Sequence, residues 1–320
     1  MSLTPDDVKE EQFRAIYEFL SENPRIFIKK IAKLLKIKRD TASNRLKEAL
    51  EQGWFSNPQI RRRSYANFRE YTYLLRCENS AEVFSRFIDN ENITYHALTG
   101  GPANLWVVSR KELDFECNTV LGGPRSDYHI SFAPNQPWGT SMQNMREMVE
   151  VFNPKDYEPE GILKTHWNET IEWDSEYEKL FQEFNYDLRK AITPILRKHL
   201  ISWGKLDKWL KNLSTSCTVF TLYYPGTISS YDPYLFMFET DYDDFLINLF
   251  SELPTSTWFF KVSNRLFSLA YIRREYMRVA DFQININKLQ IPNMITKLIK
   301  KGVIKTETHG IVECYWNSDP

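Results

Sequence analysis

At 320 residues, with 42% hydrophobic and 26% charged side chains, the chain is long enough for about two domains with real cores. No run approaches the ~20 apolar residues of a membrane span, and the polar, acidic start from Met1 to Asp7 lacks a secretory signal. A cytoplasmic protein with no membrane partner is expected, and the net charge of −1 excludes a uniformly basic chain but hides a local basic block.

Taken in chain order, Glu10 to Leu20 carries Phe13, Ile16, Tyr17 and Leu20 at helical spacing, and Asn23-Pro24 ends that helix. Ile28–Leu35 predicts a second helix and Arg39–Gln52 a third, joined by the short turn Lys36-Ile37-Lys38 and stopped by Gly53. Two short helices around a tight turn make a helix-turn-helix. From Arg25 to Arg45 eight bases face Asp40 alone, a net of +7, and Arg61, Arg62 and Arg63 follow. Such a block marks an anionic partner. Lys38, Arg39, Thr41, Ser43, Asn44, Arg45 and Lys47 lie where a third helix could reach base edges and phosphates. Together with the three arginines they form the expected surface for double-stranded DNA.

Tyr71–Cys77 predicts a strand, Ser80–Ile88 an amphipathic helix, and Ile93–Leu98 and Asn104–Ser109 two strands joined by Gly100-Gly101-Pro102. Asn118–Tyr157, rich in Gly, Pro, Ser and Asn, reads as a loop-rich extension, and Pro154–Gly161 as a linker. Beyond it the chain repeats itself. At an offset of 164, Phe13, Ile16, Tyr17 and Leu20 fall on Tyr177, Leu180, Phe181 and Phe184, and Arg25 falls on Arg189. At 162, Val83, Phe84, Phe87 and Ile88 fall on Phe245, Leu246, Leu249 and Phe250. The second helix-turn-helix region holds seven bases against one acid between Arg189 and Lys211, but its reading helix, Trp203–Trp209, lacks the Ser-Asn-Arg group. Strand, helix, strand, strand recurs at Tyr234–Phe238, Asp243–Leu253, Trp258–Val262 and Leu266–Tyr271. Asp281–Trp316 matches nothing recognisable beyond a helix at Ile291–Gly302 and a closing hairpin. A self-similarity of this kind sets the architecture before any local feature does.

The segment Phe27–Gly53 carries I-A-x-x-L-x-I from Ile31 to Ile37, then T-x-S-x-R-L from Thr41 to Leu46, then Gly53. It resembles the winged helix-turn-helix of the Lrp/AsnC (feast/famine) transcriptional regulators. The resemblance implies an α+β fold: two repeats of winged helix-turn-helix followed by a ferredoxin-like α/β sandwich. The domains would be 1–66, 67–157, 158–222 and 223–320. The family carries one such unit per chain, so here one chain imitates a dimer, with its two sensor halves pairing sheet to sheet. The resemblance also implies a homodimer and a small-molecule effector, such as an amino acid, held near Gly100, Gly101 and Asn104.

A catalytic alternative rests on Asn104-Leu105-Trp106, which resembles a tripeptide of the siroheme decarboxylases. Their pattern places a His and an Arg in the preceding strand. Here that strand holds His96 without the basic partner, and the second copy has Lys261 without a His. A lone strand histidine reads first as structural. No Ser/His/Asp group, P-loop or metal-spaced cluster occurs, so no catalytic set, metal or cofactor is expected. The scattered Cys77, Cys117, Cys217 and Cys314 are expected as reduced thiols. The residues thus point to a sequence-specific, DNA-binding transcriptional regulator and not to an enzyme.

Overall fold

Thr4 starts the first helix earlier than the periodicity indicates. Its hydroxyl accepts from the Asp7 N–H at 3.2 Å while the Asp7 carboxylate accepts from the Thr4 N–H at 2.8 Å. This capping box, with proline at the first helical position, fixes helix α1 at Pro5–Glu22. The computed structural model describes residues 4–277 and 290–317. The part of the unmatched segment from 281 to 289 lies outside the described residues. After α1 come α2 (Ile28–Leu35), α3 (Arg39–Glu51), β1 (Gln59–Arg62), β2 (Tyr71–Arg76), α4 (Ser80–Phe87), β3 (Ile93–Thr99), β4 (Leu105–Ser109), β5 (Asn118–Pro124), β6 (His129–Ile130) and α5 (Trp138–Val151). They are followed by α6 (Ser175–Phe184), α7 (Ile192–His199), α8 (Trp203–Lys211), α9 (Leu213–Ser216), β7 (Cys217–Phe220), β8 (Asp232–Thr240), α10 (Asp243–Ser251), β9 (Trp258–Val262), β10 (Arg265–Ile272), α11 (Ile291–Lys300) and β11 (Ile304–Asn317). The fold is mixed α+β with antiparallel strands. Among the described residues no helix is long and apolar enough to cross a membrane.

These elements form two compact units, each built from separated stretches of chain: Met1–Arg62 with Glu172–Ser230, and Arg63–Ile171 with Tyr231–Pro320. In the first unit two helical halves clasp each other. The Arg25 guanidinium donates to the carbonyls of Leu188 and Lys190, and the Arg189 guanidinium donates to those of Pro24 and Ile26. β1 pairs antiparallel with β7, from Gln59 on Phe220 to Arg62 on Cys217. Ile60, fully buried, joins the core of Leu180, Phe184 and Trp209. In return Tyr17 stacks on Tyr223 at 4.6 Å. Lys36 and Leu200, 164 positions apart, both adopt a left-handed turn, at φ 55° and 56°. After Gly53 the chain runs through Asn57-Pro58 into strand β1 at Gln59–Arg62.

The second unit is one antiparallel sheet of nine strands in the order β5-β2-β4-β3-β11-β8-β10-β9-β6. β11 is a single long strand in place of a hairpin. Its first part pairs with β8 and its end with β3, so it joins two four-stranded groups. The outer ends approach as well: Arg125, just after β5, bridges to Val262 of β9. The sheet thus curls around a shared core in which Trp106 stacks on Phe260 at 6.0 Å and Phe260 on Phe267 at 4.8 Å. The two strand groups thus share one sheet and one interior. The loop-rich reading of 118–157 is corrected: β5 and α5 lie within it. So is the reduced state expected for all four cysteines, because Cys77 and Cys117 form a disulfide.

Candidate functional site

The curled sheet gives each strand an inner and an outer face, and the period of two decides which side chains meet. Thr72, Leu74, Tyr95, Ala97, Trp106 and Val108 point inward from the first strand group. From the second, Leu235, Phe260 and Phe267 join them in one apolar interior. The rings of Trp106, Phe260 and Phe267 are nearly parallel, with interplanar angles of 8° and 5°. Among the described residues neither the buried Trp106 Nε1 nor the buried Thr72 Oγ1 has a hydrogen-bond partner. A buried donor left unmade costs about 1–3 kcal/mol. Two of them in a flat aromatic interior are a preformed demand for an acceptor.

At one end this interior opens into a seam pocket lined by Leu74, Thr99, Gly100, Val120, Met237 and Thr308, among others. Two glycines make the seam possible. The Gly100 N–H donates to the Ile311 carbonyl at 2.9 Å, and a Cβ on Gly310 would sit 1.7 Å from the Gly100 carbonyl oxygen. The cavity measures about 30 Å³, room for about one water. Any organic ligand must widen it. Of the three residues expected at an effector site, Gly100 lines the pocket and Gly101 carries the turn at φ 101°. Asn104 is occupied elsewhere, donating to the Cys77 carbonyl at 2.7 Å and accepting from the Cys77 N–H at 2.9 Å. Cations flank the seam. Arg76 donates to Pro102 O at 3.3 Å on the turn, and Arg265, already paired with the Glu239 carboxylate, donates to Thr306 Oγ1 at 2.8 Å, two residues along β11 from Thr308.

His96 faces the other way. It is fully buried between the sheet and α4, against Phe84 at 4.3 Å and under Trp316 at 5.0 Å. Burial pushes its pKa down to about 4, so the ring is neutral. Lys261 likewise lies outside the interior, paired with Asp243 of α10.

The residues expected on DNA separate into two groups. Lys38, Arg39, Ser43, Asn44 and Lys47 are exposed and Thr41 half-buried, while Arg45 donates to Gln12 at 2.9 Å and to Glu48 at 3.2 Å. The arginine run is committed inside the chain. Arg61 donates to the carbonyls of Ile60 and Asn185 and lies over the Tyr186 ring. Arg62 is 7% exposed and paired with Glu178 at 2.9 Å. Arg63 pairs with Asp127 at 3.2 Å, which also accepts from the Ser64 N–H at 2.8 Å. A backbone clamp on phosphates is therefore corrected: these guanidiniums already have carboxylate and carbonyl partners.

No family model matches the chain, and no curated protein does. Its fold is similar to the crystal structure of the siroheme decarboxylase NirDL, with a TM-score of 0.52 at 9% identity over 97% of this chain and 93% of that one. A second structure of that enzyme, in complex with an iron-uroporphyrin III analogue, aligns at a TM-score of 0.48 and 10% identity, over 95% and 92% of the two chains. The likeness supports the Lrp/AsnC-like fold expected from the residues. It overturns the expectations of a tandem transcriptional regulator, of double-stranded DNA as partner, and of a protein that is not an enzyme.

Proposed function

We propose that this chain is a tetrapyrrole-modifying enzyme that removes carboxyl groups from an iron-tetrapyrrole of the siroheme class. The observation that carries the reading is the whole-chain likeness to a siroheme decarboxylase, which spans both helical halves and both strand groups. The interior supplies chemistry in keeping with it. Parallel rings at Trp106, Phe260 and Phe267 suit a flat conjugated ligand. Trp106 Nε1 and Thr72 Oγ1 would donate to carboxylate oxygens, and Arg76 would neutralise a peripheral carboxylate. Loss of carbon dioxide from a ring acetate leaves an electron pair on the adjacent carbon. The conjugated ring spreads that charge until the carbon takes a proton. His96, neutral and buried behind the sheet, is not that acid. In this reading Gly100 and Gly101 shape the mouth through which substrate enters, and the seam widens to admit it.

The same proposal takes the chain as two fused repeats of a helical and a ferredoxin-like module, so that one chain does the work of a dimer. In its support, Arg25 and Arg189 exchange partners, and Lys36 and Leu200 share one turn geometry. The test is anaerobic titration with siroheme, followed by absorbance and product mass. Binding with loss of carbon dioxide is expected. Binding with unchanged mass would reduce the protein to a carrier, and no spectral change at micromolar protein would overturn the reading. Trp106→Phe, which keeps the ring and removes the donor, should weaken binding about 10-fold.

A further inference from the structure

Between β10 and β11 the second strand group has α11, a ten-residue helix with Met294, Ile295 and Leu298 buried. Between β4 and β5 the first group has residues 110–117 instead, with no helix. This short segment, beside Val83, Phe84 and Phe87 of α4, covers the outer face of β2 and β4, where Tyr73, Leu75 and Val107 are buried. It does so with two apolar side chains, Leu113 and Phe115. Its start is tied by the Arg110 N–H, which donates to the Asn92 carbonyl at 2.8 Å, and its middle and end by two further links. The Tyr73 hydroxyl accepts from the Leu113 N–H at 2.9 Å, and Cys117 is bonded to Cys77 at the end of β2. Without the sulfur link, eight residues with three acids and no helix or strand bonding would have to stay on the sheet through the hydrogen bonds at Arg110, Lys111 and Leu113, the exposed Glu116–Arg86 pair and two apolar side chains. β5, which starts at Asn118, is itself exposed over most of its length and, among the described residues, has β2 as its one strand neighbour. Its Val120 and the Leu74 of β2 are walls of the seam pocket.

We propose that the Cys77–Cys117 disulfide is a redox-controlled staple. Oxidised, it pins the 110–117 cap and the start of β5. Reduced, it frees both and loosens the β5 wall of the seam. Cys117 is half-buried between exposed Glu116 and Asn118, so an incoming thiolate reaches its sulfur, whereas Cys77 is 5% exposed. A dithiol reductant attacks Cys117 Sγ, the S–S bond breaks, and Cys77 leaves as thiolate and takes a proton. The second thiol of the reductant then displaces Cys117, so that two protein thiols form and the reductant becomes a disulfide. Asn104, held by both Cys77 backbone groups, keeps the buried half of the pair in place through the cycle. The inference is independent of the tetrapyrrole reading, because its readouts need no ligand.

The test is hydrogen exchange with mass detection on the full chain in native buffer, with and without dithiothreitol, together with thiol alkylation counts. Expected are two alkylatable cysteines in the oxidised protein under denaturant and four after reduction. At least 10-fold faster exchange should appear, confined to 110–124. The Cys77→Ser, Cys117→Ser double variant should show the same local pattern and a Tm lower by roughly 5–10 °C. If that variant does not fold, the reduced wild-type chain still decides. Four thiols in air-oxidised protein, unchanged exchange at 110–124 on reduction, or loss of protection throughout the unit would each overturn the staple.

Discussion

His96 holds no proton at neutral pH. Its folded value of about 4 lies below the ordinary 6.5, so the fold favours the neutral ring. The stability it lends is complete above pH 6.5 and is lost as the pH falls through 4, about 3 kcal/mol in all. Urea melts at pH 7.5 and 4.5 should therefore differ more for the parent than for His96→Leu, which cannot protonate. Equal pH slopes would place the acid sensitivity elsewhere. Gly310 sets a harder limit. A methyl group there collides with the Gly100 carbonyl oxygen, so Gly310→Ala should cost about 2–3 kcal/mol, as overpacked sites do. Gly139, in the first turn of α5 with nothing within 4 Å of its missing Cβ, is the control, and Gly139→Ala should be neutral or slightly stabilising by thermal melt. Leu200 lends itself to the reverse change. It is 90% exposed in a left-handed turn, and Leu200→Gly should raise stability by about 1 kcal/mol.

At the scale of elements, the stretch expected as a linker, Pro154–Gly161, is anchored at its end on α10. The Asp244 carboxylate accepts from the N–H groups of Glu160, Gly161 and Ile162 at 2.7–3.0 Å. Asp244→Ala removes the buried carboxylate that these three N–H groups share and should cost about 1–3 kcal/mol, with faster proteolysis between 157 and 164. Helices with one apolar face were legible because that face is also their packing face: Phe13, Ile16, Tyr17 and Leu20 are all fully buried or nearly so. α5 is equally periodic, with Trp138, Met142, Met145 and Val149 buried, but the prolines and glycines on either side of it are also turn formers. β5 was hidden by Gly122-Gly123, which reads as a turn. In the fold a Cβ on Gly122 would lie 2.6 Å from the Tyr73 ring, so glycine serves close strand packing there. The seam and its unpartnered donors had no local signal. Whether Trp106 Nε1 finds a partner depends on strands more than 100 residues away. The arginine run misled for the same reason: composition counts charges, and only tertiary contact shows that Glu178 and Asp127 have already neutralised two of them.

At the scale of the molecule, β11 is the element on which the second unit closes. It pairs with β8 through Ile311 and with β3 from Val312 onward. Truncation after Gly310 removes the β3 pairing and Trp316, and with it the stacking on His96. Near-ultraviolet circular dichroism should then lose its aromatic signal while the helical signal of the first unit persists. A shortened chain with an unchanged near-ultraviolet spectrum would show that the curl closes without this strand.

Both units are assembled from stretches that leave the ribosome far apart in time. Arg25 waits for the Leu188 carbonyl, 163 residues later, and β1 waits for β7. At ordinary translation rates the delay is roughly ten to thirty seconds, long against the microsecond closure of a helix. For that interval Ile60 and the Tyr17 ring are synthesised but have nothing to bury against. A nascent chain of this topology is thus obliged to carry sticky surface through most of its own synthesis. Its yield in a cell should depend on holdase chaperones more steeply than its equilibrium stability would indicate.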